Sequence, residues 1–162
     1  FTVEVSRSET PGPMGFDQVR FLFSANDGVA PAELKKVASG GEKSRLMLAV
    51  KKVLAESENL PTLILDEIDT GVSGEVARKM AGVMKDMSSQ MQLICITHLP
   101  QMASAGAYHF KVYKTTEGET VSTRLVALGI DERLKEIAVM LSGDPPTPSA
   151  EENAKELLAT LP

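Results

Sequence analysis

Two short apolar runs, each followed at once by polar residues, constrain the fold more than any other feature of this sequence. The runs are residues 63–65 and 93–96, and an unbroken run of this length is typical of a strand covered on both faces in a parallel sheet. These runs therefore predict a strand–helix–strand unit with two parallel strands, the core of an α/β fold. The helix is indicated by apolar residues at the spacing of one helical face, namely Val76, Met80, Val83, Met84 and Met87.

The segments on either side of this unit predict two antiparallel hairpins and three more helices. In both hairpins apolar and polar residues alternate along the strands, and the turns are marked by glycine, together with proline in the first. A helix that starts near Glu42 carries Leu46, Val50, Val53 and Leu54 on one face. The predicted hairpin strands are residues 2–6 with 19–23, joined by a loop at 8–15, and residues 108–114 with 120–128; the last helices are residues 131–141 and 150–161.

Length and composition limit the classes of protein to which the chain can belong. Its 162 residues suffice for one domain, and 43% hydrophobic residues with only 4% aromatic ones predict an aliphatic core. The net charge of -5 argues against a protein that coats nucleic acid by charge alone. The single cysteine, Cys95, excludes an internal disulfide and is typical of a reducing cytoplasm. No apolar run approaches the roughly 20 residues that span a bilayer, so we expect no membrane partner.

The polar residues that follow the two apolar runs are candidates for catalysis. Asp66 and Glu67 follow the first run, and Thr97 and His98 follow the second. Ligands of open α/β sheets bind at the carboxyl ends of the strands. Neighbouring strand residues point in opposite directions, so one carboxylate can bind Mg²⁺ while the other orients and deprotonates a water molecule. A histidine there can hydrogen-bond a γ-phosphate or the attacking water. Solvated acids at a strand end and a structural histidine are the alternatives.

A glycine pair at the predicted start of a helix is a candidate for phosphate binding. The segment is Ala38-Ser39-Gly40-Gly41-Glu42. Unpaired N–H groups at a helix N-terminus attract anions, glycines let the backbone approach a phosphate, and Ser39 can cap the helix or donate to a phosphate oxygen. A glycine turn with a serine cap is the alternative. The segment is not a Walker A loop, because Lys43 follows Glu42 and not glycine, and G-x-x-x-x-G-K-[ST] is absent from the chain.

Four segments, taken in order, resemble the motifs of the ATP-binding cassette (ABC) ATPases. Residues 38–42 resemble the signature motif, 63–67 the Walker B motif with its catalytic glutamate, 68–74 the D-loop, and 96–98 the switch histidine. Within this class the details are most similar to the RecN family of SMC-like DNA-repair ATPases, and the similarity covers nearly the whole chain. The strings that carry it include Val37-Ala38-Ser39-Gly40-Gly41-Glu42, Asp66-Glu67-Ile68-Asp69-Thr70-Gly71-Val72-Ser73-Gly74, Thr97-His98-Leu99-Pro100-Gln101 and Phe21-Leu22-Phe23-Ser24-Ala25-Asn26.

The resemblance implies a partial P-loop NTPase head lobe of the ABC type that uses ATP and Mg²⁺. It implies that Asp66 helps to place the Mg²⁺, that Glu67 activates the attacking water and that His98 senses the γ-phosphate. Lys43 departs from the family, which commonly has an apolar residue there. The signature residues would contact a nucleotide held by a second copy of the head. The residues implied to bind the cofactor are Ser39, Gly40, Gly41, Glu42 and Asp69.

The resemblance also implies what surrounds this lobe. The Walker A loop, the Q-loop and the coiled coil would belong to an amino-terminal lobe. We expect residues 1–162 to be the carboxy-terminal lobe cut from a longer protein, because the chain begins with Phe1 and not with methionine. ATP would join two heads, and hydrolysis would release them. The full-length protein would bind DNA ends in the cytoplasm, at the nucleoid, during double-strand break repair and recombination. The lobe alone would bind DNA weakly or not at all, and would not hydrolyse ATP.

Three alternatives stay open at this point. The nucleotide-binding subunit of an ABC transporter has the same chemistry, but its signature usually begins with Leu and ends with Gln, where this chain has Ala38 and Glu42. A non-hydrolytic, head-like dimerisation module would need neither Glu67 nor His98. Direct DNA binding by this lobe would rely on a local basic group that a solvated helix face explains equally well; the group is Lys35, Lys36, Lys43, Arg45, Lys51 and Lys52.

Overall fold

The computed structural model describes residues 1–24, 28–34, 40–117 and 120–159. In chain order they form a hairpin with a short third strand, a helix, the strand–helix–strand unit, a short helix, a second hairpin and two final helices. The strands are β1 (Thr2–Gly12), β2 (Gly15–Phe23), β3 (Ala32–Glu33), β4 (Thr62–Asp66), β5 (Gln92–Ile96), β6 (Phe110–Glu117) and β7 (Thr120–Ala127). The helices are α1 (Gly40–Glu58), α2 (Gly74–Ser88), α3 (Pro100–Ala103), α4 (Ile130–Ser142) and α5 (Pro148–Ala159).

The predicted strand–helix–strand unit is confirmed. β4 and β5 pair in parallel, with Leu63 opposite Leu93, and α2 connects them. One face of this two-stranded sheet shares a core with α2, and Leu65 in that core is completely buried. The predicted apolar face of α2 is the face that packs there, because methionine and alanine side chains at helical spacing fill the space beneath the sheet. The residues that α2 buries are Ala77, Met80, Ala81, Met84 and Met87.

The prediction that both strands are covered on both faces is wrong for the described part of the chain. Ile64, Ile94 and Ile96 are 56%, 43% and 51% exposed. They alternate with Leu65 and Cys95, which belong to the α2 core, and therefore share the opposite face of the sheet. We term these three isoleucines the open face. An unbroken apolar run predicts that both faces avoid water, but it does not say which segment covers each of them.

The helix predicted upstream of this unit forms as α1, but its predicted apolar face is not the buried one. Val50, Val53 and Leu54 of that face are exposed. The buried residues recur at intervals of seven along α1 and two of them are small, so that the helix approaches its neighbours closely on a different side. Apolar spacing predicted the helix and not its orientation. The residues that α1 buries are Gly41, Leu48 and Ala55.

Both predicted hairpins are confirmed, although the first is longer than expected. β1 and β2 pair antiparallel with Val5 opposite Val19, and they continue through the predicted loop at 8–15 until Gly12 pairs with Gly15. The register is irregular in this outer part, which accommodates the glycines and prolines that had indicated a loop. β6 and β7 pair antiparallel as predicted.

The carboxy-terminal helices form a second small core. α4 and α5 pack around Ile137 and Ala154, both completely buried. Arg133 of α4 donates to the carbonyl oxygens of Ser104 (2.6 Å) and Gly106 (2.5 Å), and so ties α4 to the segment that follows α3. The short helix α3 was not predicted. No helix in the described ranges is long and apolar enough to cross a membrane.

Candidate functional site

The carboxyl ends of β4 and β5 lie side by side, as predicted. Asp66, the last residue of β4, is opposite Ile96, the last residue of β5, and the Glu67 N–H donates to the Ile96 carbonyl oxygen at 3.3 Å. Asp66, Glu67 and His98 are all exposed, and Thr97 is half-buried. Two carboxylates and an imidazole are therefore accessible at one edge of the sheet. We term Asp66, Glu67, Thr97 and His98 the acid–histidine edge.

The backbone of Glu67 is left-handed. Its φ is 48°, a conformation that costs an L-residue roughly 1–2 kcal/mol. Hydrogen bonds on both sides hold it there, since its N–H is bonded to β5 and its carbonyl oxygen accepts from the Thr70 N–H at 3.2 Å and the Thr70 hydroxyl at 3.0 Å. The chain thus leaves the strand direction directly after Asp66. We refer to residues 67–73, between β4 and α2, as the β4–α2 loop.

Asp69 connects this loop to the histidine. It is completely buried, and its Oδ2 accepts from the Thr97 hydroxyl at 2.5 Å and from the His98 N–H at 3.3 Å. The His98 Nδ1 lies 3.5 Å from the same oxygen, while the imidazole remains 72% exposed. These bonds do not test the predicted contact of Asp69 with nucleotide, which stays a prediction. What its buried carboxylate does in this structure is to hold Thr97 and His98 against the β4–α2 loop.

The loss of the Thr97 hydroxyl is expected to destabilise the protein. Thr97→Val keeps the shape but removes the donor to Asp69, and the Thr97 Oγ1 also accepts from the Leu99 N–H at 3.0 Å. Removing the donor to a completely buried acceptor costs about 1–3 kcal/mol, so the urea midpoint should fall. Thr62→Val is a matched control, because it removes an exposed Thr62–Gln92 side-chain bond and should cost much less. Equal decreases in the urea midpoint of the two variants would show that the buried bond contributes no more to stability than the exposed one.

The two glycines of the signature-like segment lie where α1 meets the β4–α2 loop. Gly40 is exposed at the first position of α1, and Gly41 is buried. A Cβ on Gly41 would lie 2.4 Å from the carbonyl oxygen of Gly71, whose own φ is 71°. Only two glycines allow the backbones to approach this closely. Glu42 is half-buried, and Ser39 lies outside the described residues.

Asp66 is the residue that could hold a magnesium ion. In the described ranges, no group of three or more His, Cys, Asp or Glu residues is arranged to hold a metal ion. Magnesium keeps several of its waters and binds one or two carboxylates together with substrate phosphates. One exposed carboxylate at a strand end therefore fits this ion without a larger set of protein ligands.

Three other polar residues do not contribute to the edge. Burial and, next, the charge of Asp69 raise the pKa of the Cys95 thiol to about 11, which disfavours the thiolate that a nucleophilic cysteine needs. Burial and, next, the charge of Arg133 lower the pKa of His109, which is half-buried at the start of β6. Ser73 stands at the N-cap of α2 but makes no capping side-chain bond.

Comparison with known sequences gives a consistent group of relatives. No family model matches the chain. The DNA repair protein RecN of Treponema pallidum is 43% identical over 96% of this chain, and RecN of Vibrio cholerae is 40% identical over 98%. RecN of Bacillus subtilis is 42% identical over 89%. The chain spans only 27%, 29% and 25% of the length of these three relatives.

Comparison with solved structures gives the fold. A structure from work on ATP-driven dimerization and DNA-stimulated activation of SMC ATPases aligns with 86% of this chain at a TM-score of 0.59 and 17% identity, and the alignment covers 82% of that structure. The Smc head domain of Pyrococcus yayanosii aligns with 79% of this chain at a TM-score of 0.61 and 20% identity, over 23% of its own length. The chain belongs to the RecN family, corresponds to the carboxy-terminal part of its members, and has the fold of part of an SMC-type ATPase head.

Proposed function

We propose that the full-length protein carrying this chain is an ATPase that acts in DNA double-strand break repair and recombination, at the nucleoid in the cytoplasm. The observation that carries the proposal is the gathering of Asp66, Glu67 and His98 on one accessible edge of the parallel sheet. The relatives reported above are DNA repair proteins and SMC heads, which favours repair over transport. Glu67 and His98 have no task in a purely structural head, which favours hydrolysis over simple dimerisation.

Each residue of the acid–histidine edge has a separate task in this proposal. Asp66 binds Mg²⁺, which when bound offsets the negative charge of the phosphates. Glu67 accepts a proton from the attacking water, since its carboxylate is exposed and its backbone is held from both sides. His98 donates a hydrogen bond to the γ-phosphate. Thr97 holds His98 in place through Asp69.

The signature-like segment serves a nucleotide held by a second copy of the head. α1 is 19 residues long, and the N–H groups of its first turn, which have no partner within the helix, are suited to phosphate oxygens. Ser39 and Glu42 complete this contact in the proposal, and Asp69 supports it from the adjacent loop. Nucleotide between two heads then joins them, and its hydrolysis separates them. DNA binding belongs to the full-length protein, and this lobe contributes little or nothing to it.

The open face fits the amino-terminal lobe of the same protein. Burial of apolar surface stabilises a fold by roughly 25 cal/mol per Å². We therefore expect the three isoleucines of the open face to be covered by another segment in the complete head. The curated relatives are more than three times as long as this chain. We assign the Walker A lysine, which this chain lacks, to that lobe, and propose residues 1–162 as the carboxy-terminal lobe that packs on it.

The isolated chain is expected to show no ATP hydrolysis above background. It has no Walker A loop to hold the nucleotide in its own head. Turnover of the purified chain is compared with that of the same chain carrying Glu67→Gln, and with that of the full-length protein. Hydrolysis by the full-length protein alone supports the proposal. Robust turnover by the isolated chain, lost with Glu67→Gln, would mean that the nucleotide site lies within these residues.

A further inference from the structure

The hydroxyl of Ser44 joins the first turn of α1 to the β4–α2 loop. Its Oγ lies 3.1 Å from the carbonyl oxygen of Gly40 and 3.1 Å from the carbonyl oxygen of Thr70. A serine hydroxyl has one proton to donate, so the two carbonyl oxygens share it or compete for it. The bond to Gly40 is an ordinary bond along a helix. The bond to Thr70 joins segments that are 26 residues apart in sequence, and it is the one that has structural consequences outside α1.

Thr70 in turn holds Glu67. The N–H and the hydroxyl of Thr70 both donate to the Glu67 carbonyl oxygen, at 3.2 Å and 3.0 Å. Glu67 is in a left-handed conformation, which persists only where the surroundings determine it. A path of hydrogen bonds therefore runs from the first turn of α1 through Ser44 and Thr70 to the backbone of the residue whose carboxylate stands at the acid–histidine edge.

We propose that Ser44 is a positioning residue for hydrolysis in its own head. Its hydroxyl holds Thr70, and through Thr70 it keeps Glu67 in the orientation that activates water. This inference rests on the proposed function and adds to it a second task for the start of α1. The glycines of α1 serve the nucleotide held by the opposite head, whereas Ser44 serves the Glu67 of the same chain. The two tasks concern different nucleotides of the dimer and can be separated by experiment.

Three variants separate the effect of the Ser44 hydroxyl from the effects of side-chain size and of a serine-to-alanine change elsewhere in α1. Ser44→Ala removes the hydroxyl and favours the helix. Ser44→Thr keeps a hydroxyl on the same carbon atom, so in the same rotamer it can donate to the Gly40 carbonyl oxygen one turn back and to the Thr70 carbonyl oxygen. Ser57→Ala is a matched control, because Ser57 is an exposed serine near the other end of α1.

Heterodimers of the full-length protein isolate one nucleotide site. Two copies with different affinity tags are co-expressed and purified through both tags, and one copy carries Glu67→Gln. Turnover then comes from the site served by the intact Glu67 of the other copy. Ser44→Ala is placed either in the copy with intact Glu67 or in the copy with Glu67→Gln, and kcat and KM for ATP are measured for each arrangement.

Ser44→Ala in the copy with intact Glu67 is expected to lower kcat about fivefold, the rate equivalent of one hydrogen bond of about 1 kcal/mol. KM should change little, because the nucleotide contacts of both heads are retained. Ser44→Thr in the same copy should restore kcat, and Ser57→Ala should not lower it. Ser44→Ala in the copy with Glu67→Gln should lower kcat less than it does beside the intact Glu67.

Several results would overturn the inference. An equal or larger loss with Ser44→Ala in the Glu67→Gln copy would mean that Ser44 acts on the nucleotide of the opposite head. An unchanged kcat in both arrangements would show that Ser44 has no positioning role. Failure of Ser44→Thr to restore kcat would show that the size of the side chain matters and not its hydroxyl. Failure of the proposed function is a separate outcome, because dimers with Glu67→Gln in both copies would then retain turnover.

Discussion

The Glu67→Gln variant of the full-length protein is expected to bind ATP but to hydrolyse it about 100- to 10,000-fold more slowly, the usual range for loss of a general base. The amide has the shape of the carboxylate but cannot accept a proton from water. The backbone bonds that hold residue 67 involve its N–H and carbonyl oxygen, so the substitution leaves them intact. Turnover is measured at saturating ATP, and affinity by equilibrium binding of a fluorescent nucleotide.

Glu75→Gln provides the control for this variant. Glu75 is an exposed glutamate in the first turn of α2, paired with Lys79 at 2.9 Å, and it lies outside the acid–histidine edge. Its substitution should leave turnover unchanged. Near-normal turnover by Glu67→Gln would remove the general-base role, whereas loss of nucleotide binding in that variant would indicate a structural one.

The Gly41→Ala variant is expected to lower the free energy of unfolding by about 1–3 kcal/mol, the usual cost of forcing an extra carbon into a packed position. The new Cβ would lie 2.4 Å from the Gly71 carbonyl oxygen and 3.2 Å from its carbonyl carbon. Both are backbone atoms, so a side-chain rotation cannot relieve the clash. The start of α1 must therefore move away from the β4–α2 loop. Urea unfolding measures the loss, and turnover of the full-length protein should fall with it.

Gly82→Ala is the matched control, and its effect should have the opposite sign. Gly82 lies within α2, and nothing is found within 4 Å of a Cβ built there. Alanine in place of a helical glycine stabilises by roughly 0.5–1 kcal/mol. A Gly41→Ala variant that gains as much stability as Gly82→Ala would show that α1 and the β4–α2 loop are not in close contact.

The sequence predicted the acid–histidine edge well, because strand direction and pairing follow from local patterns. Once residues 63–65 and 93–96 are parallel neighbours, the residues that follow them must meet at one end of the sheet. The orientation of α1 could not be predicted in the same way. Its exposed apolar residues and its buried Gly41 depend on which segments pack against it, and that information is not contained in the spacing of its side chains.

The hydrogen-bond partners of Asp69 could not be predicted from the sequence either. Its position in a D-loop-like string predicts a contact with nucleotide, which stays a prediction, and the structure adds that its carboxylate is completely buried and bonded to Thr97 and His98. The signal available in the sequence was the threonine before the histidine, because its hydroxyl can donate to a buried acid. Choosing that partner requires knowing that two loops 28 residues apart come together.

The left-handed backbone of Glu67 has a consequence for how proteins of this kind can change by mutation. Glycine and asparagine adopt a φ near 48° with less strain than glutamate does. Selection for thermal tolerance alone therefore favours the loss of the carboxylate, and under the proposed general-base role of Glu67 a library screened only for heat resistance should become enriched in heads without turnover. In the proposed mechanism, stability and turnover are therefore opposed at this position. Variants that combine both must obtain their added stability elsewhere, for example on the outer surface of α2.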